Sequence, residues 1–126
     1  MKINTIGVIT KTEAELISQT LHSLCEYLKN KNCRVLLDEQ IPDAINSCRF
    51  EKVSREVIGE QCDLVIVVGG DGTILSAVRS LVHANVPLLG INVGRLGFLA
   101  DISPDELEIS LENILNGFYR DEQRFL

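Results

Sequence analysis

The chain has 126 residues, of which 45% are hydrophobic and 24% charged, and a net charge of −6. That length fits one domain, residues 1–126, able to bury roughly two-thirds of the surface that its unfolded chain exposes. The composition excludes a disordered, collagen-like or coiled-coil chain, and the acidic balance argues against nucleic acid or an anionic membrane as a partner. No apolar run approaches the ~18 residues of a membrane span. The segment Met1-Lys2-Ile3-Asn4-Thr5 has no apolar signal-peptide core, so the expected compartment is the cytoplasm.

Ile3 to Thr10 predicts a first strand, with β-branched bulk from Ile6, Val8 and Ile9. Thr12-Glu13-Ala14-Glu15 has capping-box form, and Ile17, Leu21, Leu24 and Leu28 then follow on one helical face. Arg34 to Asp38 predicts a short second strand. Between Glu39 and Gln61 no period is clear, and a loop with one or two helical turns near Val53 to Ile58 is expected. Leu64-Val65-Ile66-Val67-Val68 is the continuous apolar run of a strand covered on both faces. Gly69-Gly70-Asp71-Gly72 breaks it, and Ile74, Leu75, Val78, Leu81 and Val82 return to helical spacing.

Val86 to Val93 predicts a further strand, and Gly94 to Ile102 a loop. Ser103-Pro104-Asp105-Glu106 combines a capping box with a first-turn proline, and Leu107, Leu111, Ile114 and Leu115 form the buried face of a last helix that Gly117 closes. Strands alternating with helices give βαβ units, hence a doubly wound α/β fold: a mostly parallel sheet with helices on both faces. Ligands in such sheets lie beyond the carboxyl ends of the strands. Those ends are Thr10-Lys11, Gly69 to Thr73 and Asn92 to Asp101.

Gly69-Gly70-Asp71-Gly72-Thr73 stands where a buried strand meets a helix N-terminus. Small residues let the backbone bend sharply and approach a ligand, and the helix's first amides suit a phosphate. A carboxylate in that cradle repels phosphate unless it serves a hydroxyl or a cation, so Asp71 suggests a hydroxyl acceptor beside a phosphate donor. The plain alternative makes Asp71 an N-cap bonded to its own helix. The loop is neither a Walker A motif nor a Gly-x-Gly-x-x-Gly fingerprint. The second constellation runs from Gly90 to Asp101 and includes Asn92, Gly94, Arg95, Gly97 and Phe98. Phe98 offers a flat face for a base, or a plug for the end of the sheet. The four cysteines, Cys25, Cys33, Cys48 and Cys62, form no Cys-x-x-Cys pair, and His22 and His83 stand apart. Free thiols and no protein-built metal site are expected.

The glycine motif, about twenty residues ahead of Asn92-x-Gly94-x-Leu96-Gly97-Phe98-Leu99, resembles the NAD kinases. The likeness takes in Gly7 of the first strand, the Ser103-Pro104 helix and the closing Arg124-Phe125-Leu126. It implies a Rossmann-like nucleotide-binding domain and transfer of a phosphoryl group, from ATP or polyphosphate, to the 2′-hydroxyl of the adenosine ribose of NAD. It also implies Asp71 as proton acceptor, with Gly72 beside it on the ribose. Gly69, Gly70, Thr73, Asn92, Gly94 and Phe98 join them as nucleotide-binding positions, Phe98 near the adenine. Magnesium with the phosphates, a homodimer or homotetramer, and a second, β-rich domain needed for activity follow from the same likeness. Ser76 departs from it, since many relatives carry a basic residue there. A diacylglycerol-type lipid kinase shares the glycine motif but fits the Asn92 to Asp101 loop less well. A receiver-like signalling domain matches only in size and charge.

Overall fold

The computed structural model describes residues 3–10, 15–45, 49–92, 101–102, 109 and 111–113. In chain order the elements are β1 (Thr5–Thr10), α1 (Glu15–Lys29), β2 (Arg34–Asp38), a 3₁₀ turn (Asp43–Ile45), β3 (Glu51–Val53), α2 (Arg55–Gln61), β4 (Leu64–Gly69), α3 (Asp71–Ser80), β5 (Leu88–Asn92) and β6 (Asp101–Ile102). The six strands form one sheet in the order β3-β2-β1-β4-β5-β6. Every pairing is parallel, which sharpens the expected mostly parallel sheet. This is the doubly wound order of dinucleotide-binding folds. It is not the 2-1-3-4-5 order of receiver domains, where the third strand crosses to the far side of the first.

The apolar pattern explains the layering. In β4 the side chains of Leu64, Ile66 and Val68 join Ile6 and Val8 beneath Leu21, Leu24 and Leu28 of α1. Val65 and Val67 turn the other way, toward Ile58 of α2 and Ile74 and Ala77 of α3. A strand that feeds two cores has no polar face to expose, hence its unbroken apolar run. Each fully buried leucine of α1 contributes roughly 1.5–3 kcal/mol. Together they hold a helix whose length alone leaves it marginal in water. Gly7 of β1 has a packing reason: a Cβ there would meet Ile58 Cγ2 at 2.8 Å and Cys62 Sγ at 2.9 Å. Its absence lets α2 lie directly on β1. Burial pushes the Cys62 thiol up to about 11, helped by the Asp63 carboxylate and opposed by Arg34.

Four expectations change. The segment from Glu39 to Gln61 contains a strand, β3, as well as the helical turns. The expected loop from Gly94 to Ile102 ends in strand β6. The helix after the glycine motif stops at Ser80, so Leu81 is its buried C-cap and Val82 is 64% exposed rather than part of the apolar face. The first strand and the strand expected from Val86 each begin two residues later, at Thr5 and Leu88. Leu111 is buried against the α1 side, and residues 111–113 are helical as expected. Lys31, in the turn after α1, reaches Glu112 at 2.6 Å. The capping residues Thr12 and Ser103-Pro104, the glycine cap Gly117, and Cys48 lie outside the described residues; Cys25, Cys33 and Cys62 are free thiols.

Candidate active site

The corner from β4 to α3 is built by three residues. Gly69 ends the strand and is buried. Gly70 is the N-cap, in extended backbone at φ −95° and ψ −173°, with no side-chain cap. Asp71 is the first residue of the helix and partly exposed. The helix's first hydrogen bond runs from Ile74 N–H to the Gly70 carbonyl at 3.1 Å. The amides of Gly72 and Thr73 therefore lie ahead of the helix's own ladder, at its positive end. An anion meets donors there without any side-chain charge.

The chain passes from strand to helix through Gly70 alone, and the glycines of this tight turn serve for space. None of Gly69, Gly70 and Gly72 adopts a left-handed φ. A Cβ on Gly69 would meet the Thr73 side chain at 2.8–3.0 Å, so this glycine lets the first helical turn close over the strand end. Among the described residues, a Cβ on Gly70 or Gly72 would meet nothing within 4 Å, which leaves room over both for a ligand. The N-cap position belongs to Gly70, so Asp71 stands one residue further, as the first residue of the helix. A carboxylate in the first turn is favoured by the helix dipole, by about 0.3–1 kcal/mol at an exposed site. That is much less than the energy a ligand contact supplies.

The sheet register brings the two motifs together. Gly69 is the register partner of Asn92, so the glycine corner and the Asn92 loop leave adjacent strands at the same level. Adjacent strands stand about 4.8 Å apart. On the other side of β4, Thr10 partners Val68. Gly94, Arg95 and Phe98 lie outside the described residues.

Two features of the same rim are not legible from motif spacing. Asp38 ends β2, where dinucleotide-binding folds of this strand order keep a ribose-binding acid. Here it is 2% exposed and tied down: Arg55 Nη2 donates to Asp38 Oδ2 at 2.6 Å, and Arg55 Nη1 to Ser80 Oγ at 2.7 Å. With no glycine fingerprint after β1 and this acid engaged, the β1–β2 side offers no dinucleotide site of that kind. The second feature is Thr10, 1% exposed, whose hydroxyl has no hydrogen-bond partner among the described residues. Among the described residues, no three His, Cys, Asp or Glu side chains gather as a metal cage.

Comparison with known proteins agrees with this geometry. The family model described as the ATP-NAD kinase N-terminal domain matches residues 6–119. The chain is 45% identical over 121 residues to an NAD kinase of Pseudomonas syringae pv. syringae, and 46% identical over 121 residues to one of Saccharophagus degradans. An NAD kinase of Nitrosococcus oceani is 44% identical over the same length. Each comparison covers 96% of this chain and 41% of the relative, so the chain spans about two-fifths of the length of the relatives it matches. The crystal structure of yeast NADH kinase complexed with NADH superposes with a TM-score of 0.80 at 18% identity, over 94% of this chain and 39% of that one. At that identity the likeness speaks for the fold. The β4–α3 corner and the match over residues 6–119 lead to one conclusion: the chain belongs to the ATP-NAD kinase family and carries its N-terminal domain.

Proposed function

We propose that residues 1–126 form the nucleotide-binding domain of an enzyme that phosphorylates the 2′-hydroxyl of the adenosine ribose of NAD, giving NADP. Gly69 and Asn92 stand in register beside the uncapped start of α3, and this observation carries the reading. It puts a phosphate-binding end and a carboxylate on one rim. The helix amides and the open volume over Gly70 and Gly72 receive phosphate, and Asp71 takes the ribose proton. The ribose oxygen forms its bond to the terminal phosphorus of ATP or polyphosphate as the bridging P–O bond breaks. The electron pair leaves on the donor's remaining phosphate, and the proton passes to Asp71.

Magnesium suits this arrangement because it binds mainly through substrate phosphates with one or two carboxylates rather than in a protein cage. Asp71 is the carboxylate within the corner, and the cation supplies neutralisation of phosphate charge. Asn92, Gly94 and Phe98 complete the dinucleotide side, Phe98 against the adenine. The relatives' greater length supports a further, β-rich domain that closes the NAD pocket, and activity in the full-length protein rather than in residues 1–126 alone. The family likeness also supports a cytoplasmic homo-oligomer.

Phosphoryl transfer depends mainly on positioning and electrostatics, with the base adding about 10²–10⁴-fold. In the full-length protein, Asp71→Asn is expected to lower kcat for NADP formation by that factor while leaving the unfolding midpoint nearly unchanged. A variant with wild-type kcat would remove Asp71 from this role.

A further inference from the structure

Phosphoryl transfer as drawn above leaves one group of the carboxyl rim unused. Thr10 is the last residue of β1 and is 1% exposed, and its Oγ1 makes no hydrogen bond among the described residues. Buried hydroxyls nearly always have a partner, and an orphan calls for a reason. Packing does not supply one. Valine has the same shape and branching, suits the end of a strand equally well, and leaves nothing unpaired.

The position of Thr10 in the sheet supplies a reason. β1 and β4 are the two strands between which the chain reverses its winding, and ligands of doubly wound sheets sit in the crevice at that point. Thr10 lies in register with Val68, the residue before Gly69. By alternation its side chain follows Ile6 and Val8 onto the α1 side, whereas α3 packs on the opposite face. The buried hydroxyl and the start of α3 therefore lie at the carboxyl ends of neighbouring strands, on opposite faces of the sheet. A threonine hydroxyl donates one hydrogen bond, and the anion gathered by the α3 amides is its natural acceptor.

We propose that Thr10 is a nucleotide-binding residue whose hydroxyl donates to a phosphate oxygen held in the crevice between the ends of β1 and β4. This rests on the phosphoryl-transfer reading, which places phosphate at α3. The phosphate belongs either to the donor or to the dinucleotide, so the two are titrated separately.

The test compares Thr10→Val and Thr10→Ser in the full-length protein. Thermal unfolding is followed without nucleotide, and binding is measured by calorimetric titration with ATP and, separately, with NAD. Thr10→Val is expected to melt at or above the wild-type temperature when no nucleotide is present, because it loses an unpaired hydroxyl. Its affinity is expected to fall about tenfold for the nucleotide whose phosphate it touches, as for a hydrogen bond to a charged group. Thr10→Ser is expected to bind like the wild type. Unchanged affinity of Thr10→Val in both titrations would overturn the proposal. So would a melting temperature well below wild type without nucleotide, since that marks a hydroxyl already bonded to a buried water. Wild-type protein that binds neither nucleotide would overturn the phosphoryl-transfer reading together with this one. Wild-type turnover alongside full affinity in Thr10→Val would overturn this one alone.

Discussion

Gly69 and Gly72 belong to one motif but answer to different constraints. Gly69 is filled from above by Thr73, at 2.8 Å from the position of a Cβ, whereas Gly72 looks into open space. Gly69→Ala is therefore expected to destabilise the fold by about 1–3 kcal/mol, the usual cost of forcing a methyl into a packed site. Gly72→Ala is expected to unfold like the wild type and to bind nucleotide more weakly, because its methyl stands where a ligand approaches. Urea unfolding and nucleotide titration of the two variants check this pair. Equal stability loss in both would mean that the volume over Gly72 is not a ligand's. At this scale the sequence points to the glycine corner but does not tell the two demands apart. A run of glycines reads as a bend, yet none of the three here uses a left-handed backbone. Thr10 stood at a strand end in plain view, but nothing in a sequence tells whether a hydroxyl finds a partner.

At the scale of elements, legibility follows how many faces a segment buries. β4 feeds two cores, so five apolar residues in a row announce it. α1 lays Leu21, Leu24 and Leu28 on one core, so its 3.6-residue period is clear. β3 is three residues long, sits at the sheet edge, pairs only with β2 and buries none of its residues fully, so Glu51-Lys52-Val53 carries no strand signal. β6 is two residues long and is equally silent. What anchors α2 beside β2 is likewise invisible in one dimension, because the Asp38–Arg55 pair joins a strand end to a helix start through space. Asp38 is buried, so Asp38→Asn leaves the Arg55 charge uncompensated, which costs about 3 kcal/mol or somewhat more. The Arg34–Glu51 pair, with both side chains more than half exposed, is the control. Glu51→Gln is expected to cost about 0–1 kcal/mol. Urea midpoints of the two variants decide between them, and equal shifts would mean that the Asp38 pair does not hold α2 in place.

Across the whole molecule, the strand order places the chemistry. From β1 the chain winds outward through β2 to β3, crosses back to β4, and winds the other way through β5 to β6. The carboxyl ends of β1, β4 and β5 become neighbours, and they carry Thr10, the glycine corner and Asn92. The same strand order serves dinucleotide-binding folds that hold ribose over β1 and β2. In this chain Asp38 is held by Arg55, and the Asp71 carboxylate lies two strands away at the start of α3. The central claim is thus one of place: NAD presents its adenosine ribose to the β4–α3 corner. A crystal structure of the full-length protein with NAD bound tests it most directly. The account predicts a carboxylate oxygen of Asp71 within hydrogen-bond reach of the ribose 2′-hydroxyl, about 2.6–3.2 Å, with phosphate over Gly70 and Gly72. A ribose seated over the ends of β1 and β2, out of reach of Asp71, would contradict it.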